Sequence, residues 1–348
     1  MAIVGGFDVH RAQITFDYLD TDTGEVVTGQ IRPATRQALR KWLGRFDGQC
    51  EVAFAVEGCT GWRFVVEELA HVGAAAHLAE PADTAERRGR KKRAKTDRAD
   101  ARLLRDLLLQ HRLPESWVPP SHVLETRTLV RAYTALMDER RSWQQRIHAQ
   151  LFHQGAPEVA GLLTTNGQRA VAQAELSPAG RQVVETALTV IRSLDVQLLP
   201  LRAQLRTIGS RQPAVRALTQ QYGIGLLCGT MIWAELGDCR RFSSSDQVIR
   251  FAGLDITVWS SDTKRSPGRL ARQGSPELRW ALYEAAKCAS HCGSPDQAYY
   301  KAARERLDGK QATLAVARKI ARRCYHALRE IGDQAWQTVI DNPMAEAA

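Results

Sequence analysis

Long apolar runs are missing from this sequence: no uninterrupted stretch approaches the roughly 20 residues needed to cross a bilayer. A charged N-terminal segment followed by an apolar core and a cleavage site is missing as well. The expectation is a cytoplasmic protein with no membrane partner. Cysteine is sparse and unpaired. Cys50, Cys59, Cys228, Cys239, Cys288, Cys292 and Cys324 are scattered with no Cys-x-x-Cys, which argues for reduced thiols and against a disulfide framework or a zinc site. Cys288 and Cys292 could share a helix face with His291 nearby, but burial in packing is the preferred reading. Negative charge is the scarcer sign, with 38 Asp and Glu against 48 Lys and Arg, a formal charge of +10. A balance of that sign favours a polyanionic partner, because clustered Lys and Arg gain affinity for nucleic acid through counterion release.

The basic excess is local. Residues 240–332 hold 18 Lys or Arg against 9 acids, and Arg87 to Arg98 hold eight against one. Hydrophobic content of 44% and charged content of 25% fit an ordinary globular protein, and 348 residues allow two or three domains, each with its own core.

The few acids are placed where chemistry could use them. Asp8 ends the apolar run Ile3-Val4-Gly5-Gly6-Phe7 and is followed by Val9-His10. Glu57 ends a second run, Val52-Ala53-Phe54-Ala55-Val56, and is followed by Gly58-Cys59-Thr60-Gly61-Trp62. Asp97 and Asp100 lie in Lys95-Thr96-Asp97-Arg98-Ala99-Asp100, which reads as helix, so their i, i+3 spacing puts both carboxylates on one face. Hard divalent cations such as Mg²⁺ take oxygen ligands, and a pair can clamp the attacking and leaving oxygens of a phosphoryl displacement. Any one of these acids taken singly reads as a cap or turn residue; the ordered set of four, ending in a basic segment, points to a phosphodiester site.

In chain order, Gln13 to Leu19 alternates as a half-buried strand and Glu25 to Ile31 returns. Pro33 to Phe46 reads as helix, followed by the strand ending at Glu57, a helix from Trp62 to Ala70 and a strand from Ala74 to Ala79. Antiparallel strands first, then strands alternating with helices, is the order of an α/β RNase H-like fold, in which the first and fourth strands are neighbours. Arg87, Arg88, Arg90, Lys91, Lys92, Arg93 and Lys95 form a cationic loop next to Asp97, read as a phosphate-holding loop in preference to a localisation signal.

From Ser121 the pattern becomes long helix. Leu129, Tyr133, Leu136, Arg140, Trp143, Ile147 and Gln150 or Leu151 form one stripe; Leu188, Ile191, Leu194, Leu198, Leu201, Leu205 and Ile208 form another. Such spacing is a coiled-coil or helical-hairpin seam, with Pro200 expected to kink the second helix. An intramolecular hairpin and a dimerisation arm both remain open. Beyond Pro213, Tyr222-Gly223-Ile224-Gly225 before the apolar helix Leu226 to Leu236 resembles the second turn of a helix-hairpin-helix, where glycines let backbone N–H groups approach a phosphate. Phe242 to Asp246 looks like a cap leading into a helix from Gln247 to Ala252. A basic loop with Lys264, Arg265, Arg269 and Arg272 follows Ser260 and Ser261, and helices from Pro276 to His291 and Ala312 to Ile331 close the chain. Taken by themselves, two serines in a cationic loop read as plain turn residues in preference to catalytic ones.

Together these residues resemble the IS one-ten family of insertion-sequence transposases, the DEDD transposases or RNA-guided bridge recombinases. The likeness is carried by Gly6-Phe7-Asp8-Val9-His10, Val56-Glu57-Gly58-Cys59-Thr60-Gly61-Trp62, Lys95-Thr96-Asp97-Arg98-Ala99-Asp100-Ala101, Gly223-Ile224-Gly225, Ala234-Glu235-Leu236-Gly237-Asp238 and Phe251-Ala252-Gly253-Leu254. It implies a RuvC-like catalytic domain over 1–115, a helical coiled-coil region over 116–212, a C-terminal transposase domain over 213–335 supplying a serine nucleophile, and a tail over 336–348. It implies Asp8, Glu57, Asp97 and Asp100 as Mg²⁺ ligands and Ser261 as nucleophile, with donor and target DNA, a bridge RNA and a homo-oligomer, dimer to tetramer, as partners. The sequence departs from the family pattern in places: Ile256 stands where the family has proline and Asp262 where it has glycine, which leaves Ser260 as a substitute, and Ser275-Pro276 stands where the family has Gly-Asn, although Leu278 and Arg279 after it fit. The rival readings are a junction-resolving endonuclease that uses metal-activated water and a non-catalytic nucleic-acid-binding scaffold.

Overall fold

A computed structural model describes residues 2–48, 51–87, 96–257, 260–261, 264–265 and 268–337. Contacts divide the chain into two units, Met1–Val118 and Pro119–Ala348. No helix among the described residues is long and apolar enough to cross a membrane.

The first unit is built on β1 (Ala2–Val9), β2 (Ile14–Asp20), β3 (Val26–Ile31), α1 (Arg36–Leu43), β4 (Glu51–Glu57), α2 (Trp62–His71), β5 (Ala75–Ala79), α3 (Pro81–Arg87), α4 (Asp97–Leu109) and β6 (Glu115–Ser116). The sheet order is β3-β2-β1-β4-β5-β6. β1 runs antiparallel to β2 and parallel to β4, with Phe7 opposite Val56, and β4 runs parallel to β5. This is the RNase H-like arrangement, with the first and fourth strands side by side. Parallel strands covered on both faces read as near-continuous apolar runs, which is why β1 and β4 stand out in the sequence.

One face of the sheet carries an aromatic core. Phe7 stacks on Phe54 with centroids 4.4 Å apart, and Trp42 meets both edge-on at 5.6 and 5.8 Å. The other face is covered by α4 through Leu104 and Leu108, packed on Ala55 and Ala79. That cover corrects one expectation: β2 is not half-buried, since Ile14, Thr15, Phe16 and Asp17 are all buried. Asp17 is tolerated beneath α4 because Arg105 donates to its carboxylate and Arg102 stands 3.6 Å away; a buried charge needs such partners.

Gly6 sets how closely α4 approaches β1. A Cβ at this position would lie 2.2 Å from the carbonyl oxygen of Ala101 and 2.8 Å from the amide nitrogen of Arg105. The helix backbone therefore rests directly on the strand backbone, two residues before Asp8.

The second unit is mainly helical. α5 (Ser121–His153) and α7 (Pro178–Arg211) form an antiparallel hairpin joined through α6 (Thr165–Gln173), with Arg140 bonded to Asp195 at 2.6 Å across it. Ile147, Leu151, Ala187 and Ile191 pack with Val159, Leu162 and Val171 at its end. The stripe on α7 follows the expected positions: Ile191, Leu198 and Leu205 are buried, and Leu188, Leu194, Leu201 and Ile208 half-buried. The helix is assigned without a break through Pro200, which is exposed.

α8 (Pro213–Thr219) leads through a turn to α9 (Leu226–Leu236), which is apolar all round and buried from Gly229 onward. Its last carbonyls would be orphaned in the core. Two half-buried arginines answer them: Arg127 donates to Ala234 and Glu235 at 2.6 and 2.9 Å, and Arg241 donates to Leu236 at 3.2 Å. α10 (Ser245–Phe251), capped by Ser244, is followed by β7 (Ile256–Thr257), β8 (Ser260–Ser261), β9 (Lys264–Arg265) and β10 (Arg269–Leu270). α11 (Pro276–Lys287), α12 (Gln297–Arg304) and α13 (Gly309–Glu330) complete the unit. α11 stops at Lys287, short of His291, so Cys288 and Cys292 share no helix face; Cys292 is exposed rather than packed.

Gly6→Ala is expected to lift α4 off β1, lowering stability by about 1–3 kcal/mol, the usual cost of overpacking. Urea unfolding of the variant beside the parent chain measures it.

Candidate metal centre

β1 and β4 end together. Asp8 follows the Phe7–Val56 pair, and Glu57 is paired in turn with Ala79 on β5. α4 begins above them: Thr96 accepts from the Ala99 amide at 3.2 Å as N-cap, so Asp97 and Asp100 occupy the first turn. Carboxylates there are favoured by the helix dipole, and Asp100 is buried.

The four carboxylates act on one another. Burial raises the Asp8 carboxyl above the ordinary aspartate value of 3.8; the charge of His10 opposes this, while Asp97, Asp100 and Glu57 each push it further up. Asp8 Oδ2 is shut off from solvent and accepts no hydrogen bond. It lies 3.2 Å from His10 Nε2, an ion-pair distance without hydrogen-bond direction. A buried, unpaired carboxylate oxygen among like charges is costly, and a hard cation is the partner its chemistry fits.

Two residues of this centre were not singled out from the sequence. His10 Nε2 stands 3.6 Å from Asp97 Oδ1, and one ligand atom each of Asp8, His10 and Asp97 lies within 4.8 Å of the others. Gln13 Nε2 donates to Asp97 Oδ2 at 3.1 Å, and Arg32 donates to Gln13 Oε1. The only sequence signal was the Asp-x-His spacing at a strand end, which puts both side chains on one side; Gln13 and Arg32 carried none.

The proposed nucleic-acid ligands are spread over the chain. Arg88, Arg90, Lys91, Lys92, Arg93 and Lys95 lie outside the described residues; Arg87 ends α3 and is exposed. In the second unit Gly223 has φ +87°, with Ala285 O 2.5 Å from where its Cβ would be, so a side chain there is excluded twice over. Gly225 is the N-cap residue of α9 with open space around it. Ser260 and Ser261 on β8 pair antiparallel with Arg265 and Lys264 of β9 respectively. Arg269 pairs with Thr257 nearer its base, where Arg272 has φ +56°. Gly253 and Gly274 close that base: a Cβ would meet Gln273 O at 2.2 Å at the first and Phe251 O at 2.0 Å at the second.

A carboxyl whose folded pKa is raised binds its proton more tightly in the fold than in the unfolded chain. Ionised Asp8 therefore costs stability above its folded pKa, and that cost disappears as pH falls toward 3.8. In metal-free buffer Asp8→Asn is expected to raise the thermal midpoint at neutral pH, with the gain shrinking on acidification. Differential scanning calorimetry from pH 3.5 to 8 checks it.

Comparison with known proteins bears on both units. Residues 5–153 match the DEDD-type IS110 transposase family model, described as "Transposase", and residues 215–301 match the "Transposase IS116/IS110/IS902 family". A Sinorhizobium fredii protein named "Putative transposase y4rJ" is 29% identical over 238 residues, covering 62% of this chain and 59% of that protein. The chain thus spans about three fifths of the length of the curated relative it matches. With the two family models matched in order along one polypeptide, this chain belongs to the IS110 family of transposases.

Proposed function

We propose that the chain is a DNA transposase that cleaves and rejoins the ends of an insertion sequence, using Asp8, Glu57, Asp97 and Asp100 as Mg²⁺ ligands and Ser261 as nucleophile. The observation that carries this reading is the convergence of acids from β1, β4 and α4 on the buried, unsatisfied Asp8 oxygen. Bound Mg²⁺ would supply charge neutralisation at a scissile phosphate. Asp8 and Glu57 hold the strand ends, Asp97 and Asp100 bring the helix, and Gln13 fixes the orientation of Asp97.

The Ser261 oxygen forms a bond to phosphorus as the DNA P–O bond breaks, and the released DNA oxygen takes the proton. A second DNA hydroxyl then attacks the phosphoserine and returns the serine. The covalent intermediate keeps the phosphodiester energy, so rejoining needs no ATP. Register supports this assignment, since Lys264 and Arg265 lie directly across the hairpin from the two serines, cations suited to a phosphate. The turn before α9, with Gly225 open, supports a helix-hairpin-helix-like contact to the DNA backbone.

A bridge RNA choosing donor and target by base pairing fits a protein whose basic residues read backbone rather than bases. Exposed Val183, Val196 and Leu199 on α7, and Phe152 at the end of α5, support a coiled-coil contact between copies in a homo-oligomer. The domain plan proposed is a catalytic domain over 1–115, a helical region over 116–212 and a serine-bearing domain over 213–335.

Asp97→Asn is expected to abolish Mg²⁺-dependent cleavage of element-end DNA while gel-shift binding stays within about threefold. In the parent chain, denaturing gels should trap a protein–DNA adduct that Ser261→Ala removes. Cleavage without any adduct would favour the hydrolytic junction-resolving reading, and persistence of the adduct in Ser261→Ala with its loss in Ser260→Ala would move the nucleophile by one residue.

A further inference from the structure

Among the described residues, His10 brings an imidazole to the acids described above, and it is placed as a ligand would be. His10 follows the end of β1, and its amide donates to Gln13 O at 2.9 Å, which closes the turn into β2. Asp97 is divided between two neighbours: Oδ2 is taken by Gln13 at 3.1 Å, and Oδ1 lies 3.6 Å from His10 Nε2. Asp8 Oδ2 lies 3.2 Å from the same nitrogen.

These separations suit a common ion. Around an octahedral cation with bonds of about 2.1 Å, adjacent ligand atoms stand about 3.0 Å apart and opposite ones about 4.2 Å. The two distances to Nε2 fit adjacent positions, and each of the three residues offers a ligand atom within 4.8 Å of those of the other two. Asp8 Oδ2 accepts no hydrogen bond, so no existing bond has to break for it to bind an ion. Gln13, itself held by Arg32, would serve as the outer partner that aims the free oxygen of Asp97.

We propose that His10 Nε2 is a direct ligand of the divalent cation held by Asp8 and Asp97, making this a mixed nitrogen–oxygen position suited to Mn²⁺ as well as Mg²⁺. The inference rests on the metal-binding reading of the acids. Its chemical consequence is selectivity: imidazole suits first-row transition ions, whereas Mg²⁺ is served by carboxylate, carbonyl and water. His10 therefore raises the affinity for Mn²⁺ relative to Mg²⁺ above that of an all-oxygen centre. The ring is 56% exposed, so its replacement leaves the core untouched.

The test uses the full chain with Mn²⁺ alone as probe. Electron spin-echo envelope modulation of the bound ion should show coupling to an imidazole nitrogen in the parent. His10→Ala and His10→Gln should abolish that coupling, keep the parent's circular dichroism, and weaken Mn²⁺ at least about tenfold by calorimetry, the scale on which metal-site changes act, with Mg²⁺ weakened less. Bound Mn²⁺ without nitrogen coupling in the parent, or coupling that survives in both variants, overturns the ligand assignment while leaving the acidic centre standing. Mn²⁺ binding that is absent, or unchanged in Asp8→Asn, overturns the metal-binding reading and the assignment with it.

Discussion

Backbone-to-backbone contact between α4 and β1 is the constraint on which the first unit depends. Carboxylates repel, and four of them do not gather without a rigid reason. Here the reason is steric: with no side chain on Gly6, Ala101 and Arg105 come down onto the strand. The first turn of α4 is thereby carried over Asp8 and Glu57. The aromatic packing of Phe7, Phe54 and Trp42 on the opposite face fixes the strand from below. Core packing of this kind has only discrete arrangements, so the helix has no softer position that would let the charges spread.

The same helix handles charge in two opposite ways. Two turns beyond Asp97, Arg105 lies against the buried Asp17, and Arg102 adds a second cation. Burial still raises Asp17, but the guanidinium of Arg105 pulls it back. At the helix start His10 and Gln13 lie against Asp97, and Asp8 Oδ2 is buried with no hydrogen-bond partner among the described residues. Asp17 lies against two guanidinium groups, whereas Asp8 lies among three other carboxylates that push its proton affinity up, a setting that suits a cation. A buried carboxylate oxygen set among like charges is where local rules yield to function.

The second unit applies a different economy. Its apolar helix α9 ends inside the core, and its carbonyls are met by Arg127 and Arg241. Burial and the neighbouring Arg127 hold Arg241 down to about 10. From this rigid body a small β hairpin carrying Ser260 and Ser261 emerges through a neck at Gly253 and Gly274, where backbones pass too closely for any Cβ.

Much of this was written in the sequence. Period and composition determined the strands ending at Asp8 and Glu57, the helix with Asp97 and Asp100 on one face, and the α7 stripe from Leu188 to Ile208, because burial on one or both faces imposes a repeat that single residues reveal. Other features belong to the tertiary structure alone. The burial of Thr15 and Asp17 follows from α4 lying above them, and α6 and the two-residue β6 are too short for a pattern. The need for glycine at position 6 arises from a helix about a hundred residues away. The roles of His10, Gln13 and Arg32 around Asp97 were decided only when β1, the β1–β2 turn, β3 and α4 met. Sequence determines which faces must be buried, because that preference is local; which charges then confront one another is set by through-space geometry, which leaves no periodic trace.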